Sequence, residues 1–134
     1  MSNWKKKYNK WYFWISGIVT ALGTLPSALA PYKGTLATMG LDFGDKINSL
    51  PLVGHWGIMV VGIGVMIFRS AKNYELRKNI IWYSLIEKSY LVAGCVWIYM
   101  MNPVWGAGYM AAIIADSLQI IGGVFYLLVT RKEN

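Results

Sequence analysis

Glu87 and Lys88 stand side by side in the middle of IIWYSLIEKSYLVAGCVWIYM (80–100), a stretch otherwise apolar enough to lie in lipid. A second acid, Asp116, lies in another apolar run, ADSLQIIGGVFYLL, with Gln119 one helical turn further on. A charge at the centre of a lipid-crossing helix costs about 2.5–3.5 kcal/mol. Such groups must face other helices, pair with each other, or change protonation state. Lys88 with Asp116 is the natural ion pair. Glu87 points about 100° away from Lys88 around a helix, so one partner cannot serve both equally. On its own face Glu87 meets Tyr83, Ser84 and Tyr90, whose hydroxyls would satisfy a protonated carboxyl. This cluster could bind the polar head of a lipophilic ligand or move protons. It could also divide acid and base roles between Glu87 and Asp116, since unlike environments split carboxyl pKa values. A purely structural role, fixing helix register by a buried ion pair, is the alternative.

The other chemistry-bearing residues are few. The only histidine, His55, lies in LPLVGHWGIMVVG near the outer end of its segment. By depth it sits about 12–15 Å outward of Glu87, where it would serve as a ligand contact or as the first group of a proton path. One histidine cannot form a multi-His metal site, and no metal or cofactor is expected. The single cysteine, Cys95, allows no intrachain disulfide and reads as a small core residue.

What must position the cluster follows from composition. In 134 residues, hydrophobic types make up 56% and charged types 14%. That charged share is well below the soluble norm of about 25%. The net charge of +7 comes from basic residues clustered at the ends of apolar runs. They read as topology signals and headgroup contacts, with no basic stripe for nucleic acid. Crossing a bilayer takes about 20 apolar residues. Four stretches qualify, 11–31, 52–68, 79–101 and 104–129, the first retained as a span and not cleaved as a signal peptide. The expected fold is all-α, an integral membrane four-helix bundle with short loops and a longer first extracytoplasmic loop.

Lys5, Lys6, Lys7 and Lys10 precede the first span. Arg69, Lys72, Arg77 and Lys78 fill the loop after the second, and Arg131 and Lys132 follow the fourth. In the first outer loop Lys33 and Lys46 are offset by Asp42 and Asp45. The positive-inside rule places both termini in the cytoplasm. Trp11, Trp14, Trp82, Tyr83 and Tyr126 are expected at the inner interface, and Trp56, Trp97, Tyr99, Trp105 and Tyr109 at the outer one. The outer loop YKGTLATMGLDFGDKINSLP is read as a partly structured cap over the outer mouth. Glycines 34, 40 and 44 argue against one continuous helix, and Leu36, Met39 and Leu41 are candidates for the membrane surface.

In the hairpin that turns at Asn102-Pro103, Glu87 and Lys88 lie level with Asp116, Ser117 and Gln119. Thr20 of the first span reaches nearly the same depth, about 13–15 Å from the inner edge. Gly57, Gly62 and Gly64, and Gly106, Gly108, Ala111, Ala112 and Ala115, offer small faces for packing within the chain or in a homo-oligomer.

The order of LAPYKGTLATMGLD, LPLVGHWGIMVVGIGVMIF, a basic turn through Arg77, the internal EK and ADSLQIIGGVFYLL resembles small bacterial four-span proteins of the DoxX-like group. That resemblance covers most of the chain. It implies a four-helix bundle in the bacterial inner membrane and a supporting role in membrane redox or lipid systems. No catalytic residue carries over. Three functions stay open. One is a binding or accessory protein for a membrane lipid or other lipophilic small molecule, holding it through Glu87, Lys88, Asp116, Gln119, His55, Tyr83 and Tyr90. The second is an oligomeric proton-coupled transporter or channel. The third is a small isomerase or hydrolase of a lipid-like substrate.

Overall fold

A computed structural model describes residues 3–40, 42 and 50–130, and every element in it is helical. In order these are α1 (Asn3–Leu29), α2 (Pro31–Met39), α3 (Leu50–Ser70), α4 (Tyr74–Met101), α5 (Pro103–Gly106), a 3-10 turn (Ala107–Tyr109) and α6 (Met110–Thr130). Among the described residues three helical stretches are long and apolar enough to cross a membrane: Lys7–Leu29, Pro51–Ser70 and Ala107–Thr130. α4 is longer still, at 28 residues, but Glu87 and Lys88 interrupt its apolar run and it falls outside that set. The stretch expected at 104–129 does not begin as one helix. Asn102 and Pro103 end α4, and the glycine-bearing turn that follows delays α6 to Met110.

Burial departs from that of a water-soluble bundle, with polar groups sharing the interior and large apolar side chains facing out. Asn9, Ser16, Thr20, Thr24, Ser27, Lys88, Asp116 and Gln119 are buried, while Ile15, Leu22, Ile58, Ile86, Ile114, Leu118 and Ile121 are exposed. Apolar side chains outward and polar ones inward is the arrangement a hydrocarbon solvent favours.

α1 and α3 form the tightest pair, and glycine makes it possible. A Cβ on Gly64 would lie 2.5 Å from the Ala21 backbone nitrogen, and one on Gly57 would lie 2.7 Å from that of Ala28. Two of the small residues read as a packing face in this segment thus pack within the chain. Gly62 has nothing within 4 Å of the same position.

At the end of α1 the chain turns at Ala30, and α2 folds back with Pro31 in its first turn. Thr35 donates to the Ser27 hydroxyl at 3.0 Å, and both are buried. α2 runs through Gly34, where a Cβ would collide with the Pro26 carbonyl, and stops at left-handed Gly40. Pro31–Met39 of this loop is therefore helical, and glycine at 34 marks close approach where a break was expected. Leu41, Gly44, Asp45, Lys46, Arg131 and Lys132 lie outside the described residues.

The end of the bundle nearest the termini is closed by apolar packing. Phe13, Ile67, Ile80, Ile81, Leu85 and Tyr126 form a buried core there. Phe13 meets Tyr126 edge-on, with centroids 5.0 Å apart. Tyr126, expected as an interfacial anchor, is instead a core residue, because Phe13 and Tyr12 stack around it. Trp11, Trp82 and Trp97 are exposed, as anchors would be; the Trp105 side chain lies outside what is described. Arg77 caps α3, donating from Nε to the Ser70 carbonyl at 2.7 Å and from Nη2 to that of Ala71. Asn73 caps α4 by accepting from the Glu75 backbone N–H at 3.1 Å.

The α1–α3 contact predicts a contrast between neighbouring glycines. Gly64→Ala must push two backbones apart and should cost about 1–3 kcal/mol. Gly62→Ala meets open space and should match or exceed wild type, since alanine is the better helix former. Melting curves of the two variants in one detergent check this. Equal loss in both would mean that the close approach is not what holds α1 to α3.

Candidate functional site

Lys88 and Asp116 come together as the hairpin depth count requires. Lys88 Nζ donates to Asp116 Oδ1 at 2.7 Å, and both residues are buried. Gln119, one turn along α6, donates from Nε2 to the same oxygen at 3.3 Å. Its own Oε1 accepts from the Thr20 hydroxyl of α1 at 3.0 Å. Thr24 donates to the Thr20 carbonyl at 2.8 Å. A single chain of polar contacts thus crosses from α4 through α6 to α1. Two tyrosines of α1 add to it from the side nearer the termini. Tyr12 donates to the Gln119 carbonyl at 2.9 Å and Tyr8 to that of Gly122 at 3.0 Å. They seat on α6 where glycines 122 and 123 leave room for the Tyr12 ring.

Above this chain lies a cavity of about 340 Å³. Thr20, Thr24 and Gly23 of α1, Trp56 and Val60 of α3, and Glu87, Lys88 and Leu91 of α4 line it. Ala111, Ala112, Ala115, Asp116 and Gln119 of α6 complete the wall, and Thr38 and Met39 of α2 reach it from the end away from the termini. The alanine face read as a packing surface instead borders this space, which its short side chains leave unfilled. The wall is mostly apolar, with its polar groups gathered at one level.

Glu87 stands apart from the ion pair. Its Oε2 is buried and has no hydrogen-bond partner. The hydroxyls expected to satisfy it do not reach it. Tyr83 and Tyr90 are 48% and 84% exposed and project outward, and Ser84, though buried, makes no bond to it. Tyr83 and Tyr90 instead line a groove of about 500 Å³ on the outside of the α3–α4 seam, together with Met59, Ile63 and Ile86. Four residues, Trp56, Val60, Glu87 and Leu91, belong to both the groove and the inner cavity.

His55 is exposed on α3 and lines neither space. The next residue, Trp56, is the one turned inward, since successive helical side chains differ in direction by about 100°. Trp56 is the site residue that sequence reasoning assigned elsewhere, to the outer interface. Cys95 is buried and free. Among the described residues no three of His, Cys, Asp and Glu gather as metal ligands would. No family model, curated protein or solved structure matches the chain.

The ion pair predicts a thermodynamic cycle. Lys88→Met and Asp116→Leu each strand a buried charge and should each cost about 3–5 kcal/mol, while replacing both can be nearly neutral. The double variant should therefore recover most of the loss in detergent melting temperature. Losses that simply add would show that the two residues act independently.

Proposed function

We propose that this protein binds a lipophilic small molecule within the membrane, alone or as the binding subunit of a larger assembly. One observation carries the reading: a carboxylate oxygen, Glu87 Oε2, is buried without a partner beside an apolar-walled cavity. Lys88 and Asp116 neutralise each other, so neither compensates Glu87 fully. A buried acceptor left unpaired costs about 1–3 kcal/mol, more when it is charged. A ligand head that donates a hydrogen bond, a hydroxyl or an amine, removes that cost, and the apolar wall accepts its hydrocarbon.

The shared wall of Trp56, Val60, Glu87 and Leu91 gives such a ligand a path from the bilayer, between α3 and α4. The buried core at the other end supports binding over conduction, because it closes the bundle below the cavity. Asp116, already engaged by Lys88 and Gln119, is poorly placed as a free catalytic base.

In this proposal α4 is the fourth crossing, carrying its charges inward, and both termini are cytoplasmic. Support comes from the distribution of Lys and Arg and from the burial of Lys88. The bacterial inner membrane as its location and the DoxX-like likeness belong to the same proposal and rest on the segments quoted above. A homo-oligomer would use the exposed apolar faces, since Gly57 and Gly64 are already occupied by α1.

Organic extraction and mass spectrometry of the purified protein test the reading. Wild type should retain a lipophile bearing a hydroxyl or amine. Glu87→Gln should lower its amount about tenfold or more, the worth of a hydrogen bond to a charged group, with the melting temperature of the ligand-stripped protein close to wild type. Ala115→Leu, which fills the cavity, should lower it as well. Equal retention by all three proteins would sink the proposal, and a proton flux in liposomes that Glu87→Gln abolishes would favour transport. Orientation has its own check: a reporter fused after Asn134 should be active only when its fold or cofactor requires the cytoplasm.

A further inference from the structure

The largest described groove lies away from Glu87 and shares no lining residue with its cavity. It runs between α4 and α6 at the end nearest the termini and has a volume of about 580 Å³. Arg77, Lys78 and Tyr74 line its rim at the end nearest the termini, exposed Val124 and Leu128 line its α6 side, and buried Leu85 lies at its far end. From Tyr74 to Leu85 it extends roughly 16 Å along α4, about half the thickness of a hydrocarbon core.

Its cationic rim is built in advance. The Arg77 guanidinium is fixed by the Ser70 and Ala71 carbonyls. It also lies over the rings of Phe13 and Tyr74, at 5.4 and 5.5 Å from their centroids. Those contacts orient the charge without neutralising it. Lys78, beside it, is exposed. Among the described residues no acidic side chain forms an ion pair with either. A fixed guanidinium with an adjacent ammonium suits a phosphate. A soluble phosphate, however, would leave the apolar part of the groove unfilled.

We propose that this groove binds one anionic phospholipid, its phosphate at Arg77 and Lys78 and one acyl chain along Leu85, Val124 and Leu128. The site is separate from the Glu87 cavity and stands whatever that cavity holds. A preformed cation lowers the ordering cost of binding, and each basic residue near a lipid surface contributes about 1 kcal/mol, close to fivefold in affinity.

The test is native mass spectrometry of the full chain in detergent, titrated with phosphatidylglycerol or phosphatidylcholine of identical acyl chains. Wild type should retain one phosphatidylglycerol in preference to phosphatidylcholine. Lys78→Gln should reduce that preference about fivefold. Lys72→Gln removes a charge from the same end of the bundle but not from the groove, and should leave the preference unchanged. Val124→Trp, which fills the groove, should abolish retention of the single lipid. Arg77→Gln is avoided because Arg77 also caps α3. Equal retention of the two lipids would overturn the site. So would equal effects of Lys72→Gln and Lys78→Gln, which would reduce it to diffuse surface charge. Inorganic phosphate that displaces the lipid at millimolar concentration would show that the acyl groove contributes nothing, and would overturn it too.

Discussion

Asp116 Oδ1 accepts from Lys88 of α4 and from Gln119 of its own helix. In a low-dielectric interior such a charge is tolerated only with its partners in place. That requirement reaches beyond the pair. Gln119 can serve Asp116 only if its amide is oriented, and the Thr20 hydroxyl on its oxygen does this. Thr20 belongs to α1, and α1 is joined to α3 by backbone contact at Gly57 and Gly64. The register of all four long helices is thus tied, step by step, to one carboxylate oxygen. The cavity is what remains above that layer, where alanines on α6 leave volume that larger residues would fill.

The two halves of the bundle are held by different physics. Toward the termini, rings and branched aliphatic chains pack densely around Phe13 and Tyr126, and tyrosine hydroxyls reach across to carbonyls of α6. Toward the opposite end there is little such filling. There the polar chain, glycine contacts and the Ser27–Thr35 bond carry the structure. Between hydrocarbon-facing helices no hydrophobic gain separates protein from lipid, so close packing and internal hydrogen bonds bear more of the load. Polar residues consequently occupy the places that a soluble bundle gives to leucine.

Much of the site was legible because depth in a bilayer is a linear count. Lys88 stands 14 residues before Asn102 and Asp116 13 after Pro103, so they lie level, and insertion cost makes their pairing the economical solution; Thr20 follows by the same count. Azimuth was less legible. His55 and Trp56 are adjacent, and only the approach of Pro31 at Gly54 and of α1 at Gly57 decides which of them faces inward. Tyr83 and Tyr90 share a helical face with Glu87 but extend past it into the outer groove. Spacing places them on that face and says nothing of how far a long side chain reaches. Tyr126 looked interfacial by depth, yet Phe13 and Tyr12 enclose it. Gly34 carried a real signal that could be read two ways, as a break or as a point of contact. Pro26 lying against it is a tertiary fact.

The seating of α2 on Pro26 and Ser27 has a kinetic meaning. With a backbone carbonyl packed against Gly34 and a buried hydroxyl pair at Thr35, α2 is fastened to the end of α1. A lipophile bound beneath it would then exchange through the α3–α4 seam, in two dimensions. Its effective concentration would be its mole fraction in the surrounding lipid and not its molarity in water. Occupancy would respond to bilayer composition and lateral pressure, and dilution of the aqueous phase would leave it untouched.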